Sequence, residues 1–96
     1  MLVPEPINRG ADLATAMCLA SSVLEKPIPE QTVLIGEVGL TGEIRPAAQL
    51  DTRIREAARL GYTTVVIPAH SKVADHGCKL IRVSDVSEAI RALFMN

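Results

Sequence analysis

Several groups of residues in this chain have types and spacings that could do chemistry. His70, Asp75, His76 and Cys78 lie close together and carry the donor types of a tetrahedral metal site. Such a site needs three or four ligands converging from paired spacings. These four share one polar stretch without a paired motif, so the stretch reads as a solvated loop and no metal ligands are assigned. The run Gly36-Glu37-Val38-Gly39-Leu40-Thr41-Gly42 could cradle a phosphate. A phosphate loop, however, requires a lysine and a hydroxyl residue opening a helix, and a dinucleotide site requires its glycines at a strand-to-helix turn. No lysine follows here, and the glycines read as a hairpin turn. Ser21 and Ser22 are adjacent hydroxyls without a neighbouring base, and a nucleophile needs such a base within hydrogen-bond reach; both read as structural. Arg45, Arg53, Arg55 and Arg59 form the one basic cluster, interleaved with Glu43, Asp51 and Glu56. The i, i+4 spacing of Asp51 and Arg55 makes an ion-paired, solvated helix face its simplest reading.

The elements that must position these residues follow from hydrophobic periodicity. Thr32 to about Val38 is β-branched and aliphatic and predicts a strand. Gly39 and Gly42 reverse the chain into a second short strand, Glu43 to Arg45, closed by Pro46. A helix follows, with Leu50, Ile54, Ala57 and Ala58 on one side and Asp51, Arg55, Glu56 and Arg59 on the other. Gly61 supplies its stop.

Upstream, Leu2 and Val3 read as the end of a strand, with Pro4 and Pro6 favouring an extended link. Ala11 to about Glu25 predicts a helix that carries no charge between Asp12 and Glu25, and is therefore expected to be buried on most sides. Lys26-Pro27-Ile28-Pro29 ends it. Downstream, Thr63 to Ile67 predicts a buried strand, parallel in character and closed by Pro68. A polar connection with room for one helical turn follows, Ala69 to Gly77. Lys79 to Val83 is a further strand. Ser84-Asp85 caps a last helix, in which Val86, Ala89, Ile90, Leu93 and Phe94 share a face. This alternation predicts a single α/β layered domain over residues 1–96.

Bulk composition narrows the function classes. Apolar residues make up 48 % of the chain but aromatics only 2 %, so the core must be aliphatic. Net charge is −1, which leaves no bulk attraction toward nucleic acid or anionic membrane. The uncharged run Leu13 to Leu24 is shorter than the roughly 20 residues a membrane span takes. Cys18, within that run, is expected to be a small buried hydrophobe. Two cysteines this far apart, without a signal peptide, suit a reducing cytoplasmic setting. The chain opens on Met1-Leu2-Val3-Pro4-Glu5-Pro6 with little lead-in to its first helix, and is expected to be a fragment of a longer protein.

Specific residues also carry a family resemblance. Gly36-Glu37-Val38-Gly39-Leu40-Thr41-Gly42-Glu43-Ile44-Arg45-Pro46, then Arg53 through Tyr62, then Val65-Val66-Ile67-Pro68, resemble the Lon-protease-like C-terminal domain of the RadA (Sms) family of bacterial DNA repair proteins. Ala11-Asp12-Leu13-Ala14 and Lys26-Pro27-Ile28-Pro29 agree with it. The resemblance implies a Lon proteolytic-domain-like layered sheet with helices, of which residues 1–96 would be a fragment, the C-terminal part of that domain. It implies a parent chain with an N-terminal zinc finger and a RecA-like ATPase, neither of them in this sequence. ATP, magnesium and zinc would then belong to the parent, and this segment would need no cofactor.

Lon proteases use a serine–lysine dyad. By the resemblance, Gly10 stands at the serine position and Asp51 at the lysine position, so no catalytic residues are expected and the segment would not be an enzyme. The parent would be an ATP-driven motor on branched recombination intermediates, assembled as a hexameric ring and touching DNA in that assembled form. Within it this segment would be a non-catalytic scaffold, with Arg53 at an interface and Arg45, Arg55 and Arg59 as the DNA-contact surface. Two alternatives stay open: an active Lon-type serine peptidase, which the missing dyad disfavours, and a ComM or magnesium-chelatase-like ATPase domain, which shares the Gly-Glu and Glu-Ile/Val-Arg-Pro pattern.

Overall fold

The computed structural model describes residues 11–95. In chain order its elements are β1 (Ala11–Asp12), α1 (Leu13–Leu24), β2 (Thr32–Leu34), β3 (Glu37–Val38), β4 (Ile44–Arg45), α2 (Leu50–Arg59), β5 (Thr64–Pro68), β6 (Lys79–Val83) and α3 (Val86–Phe94). The expected strand end at Leu2 and Val3, and Gly10, lie outside the described residues.

β5 is the middle of the molecule. It runs parallel to β2 on one side and to β6 on the other. Val65, Val66 and Ile67 are fully buried. Successive strand side chains point to opposite faces, so Val65 and Ile67 meet Leu50, Ile54 and Ala57 of α2, while Val66 meets Leu13 and Met17 of α1 and Ala89 and Phe94 of α3. The result is three layers: α1 with α3, the parallel sheet, then α2. Parallel sheets are covered on both faces, which is why β5 reads as a continuous apolar run. The α/β layering and the parallel, buried β5 agree with expectation.

A second sheet, antiparallel in the order β1-β3-β4, corrects the sequence reading. Thr32 to Val38 is not one strand. The chain leaves the parallel sheet after Leu34 and joins the antiparallel one at Glu37. Gly36 lies at the switch, and a methyl group placed on it would come 2.9 Å from Ile44 Cγ2. Its carbonyl accepts the Leu13 N–H at 2.9 Å. The strand before Pro46 is also shorter than expected: Glu43 bridges to Asp85 instead. The Ile44 N–H donates to the Ser84 carbonyl and the Val86 N–H to the Gly42 carbonyl, each at 2.9 Å, which fastens the hairpin to the start of α3.

The second correction concerns α1. Only Leu13 and Met17 are fully buried on this helix. Leu19 is 65 % and Val23 80 % exposed, and Cys18 is exposed. The helix lies against the sheet and α3 by one side, and that layer offers its other side nothing among the described residues. An uncharged composition reports what a helix face tolerates, not what covers it. Asp12 caps α1 by accepting the Thr15 N–H at 2.8 Å. The other cysteine, Cys78, is buried under α2.

The last helix begins as the sequence predicts. Asp85 accepts the Glu88 N–H at 2.8 Å, and Glu88 accepts the Ser84 N–H at 2.6 Å. The first bond satisfies a first-turn amide that helix geometry leaves unpaired, and the second ties the residue before the cap to the same turn. The connection from β5 to β6 forms turns and no helix. Among the described residues no helix is long and apolar enough to cross a membrane.

Candidate functional site

Asp51 is the position of greatest interest, since the resemblance puts a catalytic lysine there. It lies in the first turn of α2, where the helix dipole favours a carboxylate. Gln49, immediately before the helix, has φ 54° and makes no side-chain cap. Asp51 Oδ1 lies 2.8 Å from His76 Nε2, and Asp51 Oδ2 accepts from Arg55 Nη2 at 2.8 Å. The His76 contact, its charge when protonated, the Arg55 charge and a bond from the Ala74 amide together hold the carboxyl below the usual carboxylate range, against a smaller desolvation cost. Asp51 thus ties the β5–β6 loop to α2. The expected free, solvated loop is corrected here: His76 is half-buried and engaged. Its φ of 48° is a conformation that a non-glycine residue adopts at some cost. Ala57 and Cys78 pack in the same core cluster beneath.

The remaining candidate groups fall as follows. Among the described residues no three His, Cys, Asp or Glu side chains converge as metal ligands. Ser21 donates its hydroxyl to the Lys26 carbonyl, closing the C-terminal end of α1. The glycine-rich run is a hairpin turn, with the Gly42 N–H on the Gly39 carbonyl at 3.1 Å. Its tip is occupied by the Glu43 carboxylate, which lies where a Gly39 side chain would start. Glu43 accepts from the Thr41 hydroxyl and amide and from Arg45 Nε at 3.1 Å. The Thr41 hydroxyl is the chief cause of its pKa falling to about 2. An anion would find this turn already filled by a carboxylate.

The four arginines do not behave as one cluster. Arg45 is on β4 and pairs with Glu43. Arg55 pairs with Asp51, and Arg59 with Glu56 at 2.5 Å. Glu56 is held below the usual carboxylate range by its bond from Arg59, and the same bond raises Arg59. All three arginines are well exposed, so the solvated, ion-paired reading fits each pair. Arg53 differs. Among the described residues it is in no ion pair, and it borders an apolar groove of about 270 Å³. Val33, Ile35, Ala57, Leu60 and Tyr62 are among the residues that line it. Leu60 is 65 % exposed. Periodicity could place Arg53 beside the apolar arc of α2, but the groove also needs β2, which only the fold brings there. His76 likewise had no local signal, being twenty-five positions from its partner.

Comparison with known proteins follows these observations. A family model described as subunit ChlI of Mg-chelatase matches residues 9–71. DNA repair protein RadA from Aquifex aeolicus is 44 % identical over 94 residues, covering 98 % of this chain and 20 % of that protein. RadA from Mycolicibacterium smegmatis is 39 % identical over 84 residues, covering 88 % of this chain and 18 % of that protein. RadA from Escherichia coli strain K12 is 40 % identical over 83 residues, covering 84 % and 18 %. The chain therefore spans about a fifth of the length of these relatives, matching their C-terminal part. With the family model covering most of the described fold and RadA proteins aligned along nearly the whole sequence, the chain belongs to the family of subunit ChlI of Mg-chelatase and is a RadA-like member of it.

Proposed function

We propose that this chain is a Lon-like domain without peptidase chemistry, serving a RadA-type DNA repair protein as an assembly scaffold. The observation that carries this reading is Asp51. A serine–lysine dyad needs a neutral amine beside the nucleophile. Asp51 is a carboxylate whose oxygens are taken by His76 and Arg55, so its part is to clamp a loop. The parent acts on branched recombination intermediates with ATP, magnesium and zinc held in other domains. It assembles as a hexameric ring, in which Arg53 faces an interface. DNA contact through Arg45, Arg55 and Arg59 belongs to the ring, where weak contacts repeat around the assembly and gain from avidity.

The test is made on the full-length RadA-type protein. Native mass spectrometry of that protein, with and without the segment matching residues 11–95, reads the subunit number. Loss of the ring on deletion is expected. A ring that persists unchanged without the segment overturns the scaffold reading.

A further inference from the structure

We propose that in the longer parent protein the outward side of α1 is covered by an apolar, uncharged surface of the same polypeptide, from the part that precedes these 96 residues. The proposal shares the parent with the reading above but needs neither its ring nor its missing dyad.

The side in question is a stripe at helical spacing. Thr15, Cys18, Leu19, Ser22 and Val23 are all exposed and follow the i, i+3, i+4, i+7, i+8 pattern of one helix face. Leu13 and Met17, the buried residues of α1, lie on the opposite side. Leu19 is 65 % and Val23 80 % exposed, and no residue of the stripe carries a charge. α2 shows how this chain furnishes a helix face that meets water: Arg55, Glu56 and Arg59 stand there. A helix without charge on either side is one built to be enclosed.

Tolerance for burial names no cover, but the length of the parent does. The chain covers 20 % of the Aquifex aeolicus RadA and 18 % of the Mycolicibacterium smegmatis one, matching their C-terminal part. Most of each relative therefore precedes the matched segment. β1 leads straight into α1, since Asp12 is both the last residue of β1 and the N-cap of the helix. The preceding chain thus arrives at the N-terminal end of α1. A helix of 12 residues is about 18 Å long, and residues 1–10 span at most about 35 Å when extended. The whole stripe is within reach of what lies upstream.

The size and chemistry of the stripe select the occupant. A stable contact between separate copies uses roughly 20 residues a side, far more than this stripe offers. A surface tied to the same chain docks through a small patch, because the link keeps its effective concentration high. A charge brought against Leu19 and Val23 would lose water and gain no partner, so the covering surface is apolar and uncharged.

The test uses the full-length RadA-type protein, alkylated and read at Cys18 by peptide mass spectrometry. Cys18 belongs to the stripe and is exposed. It is expected to react at least about tenfold more slowly in the native parent than in the 96-residue chain, whose folding circular dichroism checks. Val23→Glu in the parent should remove that protection. Equal rates in parent and chain, or protection unmoved by Val23→Glu, would overturn the proposal. A diazirine analogue of leucine in place of Leu19 then identifies the cover, in parent protein assembled from light and isotope-heavy subunits. Cross-links are expected from position 19 to peptides upstream of residue 1, always within one isotopic form. Cross-links between light and heavy subunits would put a second copy on the stripe, overturning this proposal while leaving the ring reading standing. Cross-links confined to residues 1–10, or none at all, would overturn it as well.

Discussion

His76 Nε2 stands 2.8 Å from Asp51 Oδ1, joining the loop between β5 and β6 to the first turn of α2. The bond is one of the ties that hold this loop, beside the packing of Val73 on the core. His76→Ala is expected to lower stability by about 1 kcal/mol, the ordinary net worth of one hydrogen bond. His76→Ala and Asp51→Asn together should cost less than their sum, because both remove the same contact. Urea midpoints for the two single variants and the double variant check this. Fully additive losses would show that the residues do not act as a pair.

Acid should release the two clamped carboxylates. Asp51 and Glu43 both have pKa values lowered in the folded chain, Glu43 from 4.5 to about 2. A lowered folded pKa means the unfolded chain takes up the proton first. The stabilisation is therefore complete above the unfolded value and is lost as pH falls through the folded one. For Glu43 that window runs from 4.5 down to about 2. Glu43→Gln should be less stable than the parent chain near neutral pH and approach it as pH falls through this window. Urea titrations across the range test the sign, and a gap that widens in acid would contradict it.

The chain should not cleave peptides. Removing both members of a nucleophile–base unit leaves little beyond binding. Turnover of a fluorogenic peptide or an unstructured protein by highly purified material would disprove the non-catalytic reading, as would labelling of one serine by a mechanism-based inhibitor.

Arg53 and Arg59 should respond differently to truncation. Arg59 is exposed and engaged only with Glu56, so Arg59→Ala should stay within about 0.5 kcal/mol of the parent chain. Arg53 lies along the groove, where an arginine stem covers apolar surface, and Arg53→Ala should lower stability or assembly by more. Thermal unfolding and native mass spectrometry of both variants decide it; equal, negligible effects would remove the distinction.

DNA binding by the isolated chain should be weak at physiological salt. Net charge is −1, and Arg45, Arg55 and Arg59 each already hold a carboxylate. Every phosphate neutralised adds roughly 0.9 to the salt slope, and these residues supply few. Fluorescence anisotropy with single-stranded and branched DNA is the measurement. Tight binding by a monomer with steep salt dependence would reverse the expectation. In the assembled parent, unchanged binding after all three arginines are replaced would return them to the role of a solvated face.

Much of the fold is legible without coordinates where neighbours along the chain carry the signal. α2 shows its buried side in the spacing of Leu50, Ile54 and Ala57, since a helix turns every 3.6 residues whatever it packs against. Asp85 marks the start of α3 because helix amides left without partners need nearby acceptors. β5 announces its burial by an unbroken apolar run. The Gly39 to Gly42 turn follows from its glycine positions, though the bounds of the strands on either side do not. The family likeness too is written in local motifs, so it survives without a structure.

What needed tertiary structure was every relationship between distant residues. Nothing near Ile35 says that the chain changes sheets there; the close approach of Ile44 to Gly36 does. Nothing in the uncharged run of α1 says that Leu19, Val23 and Cys18 face outward, because composition records tolerance for burial and the sheet has only one face to offer that helix. The Asp51–His76 bond and the groove beside Arg53 join residues from separate elements. Their distances are set by how the layers pack, and side-chain type alone leaves those distances undetermined.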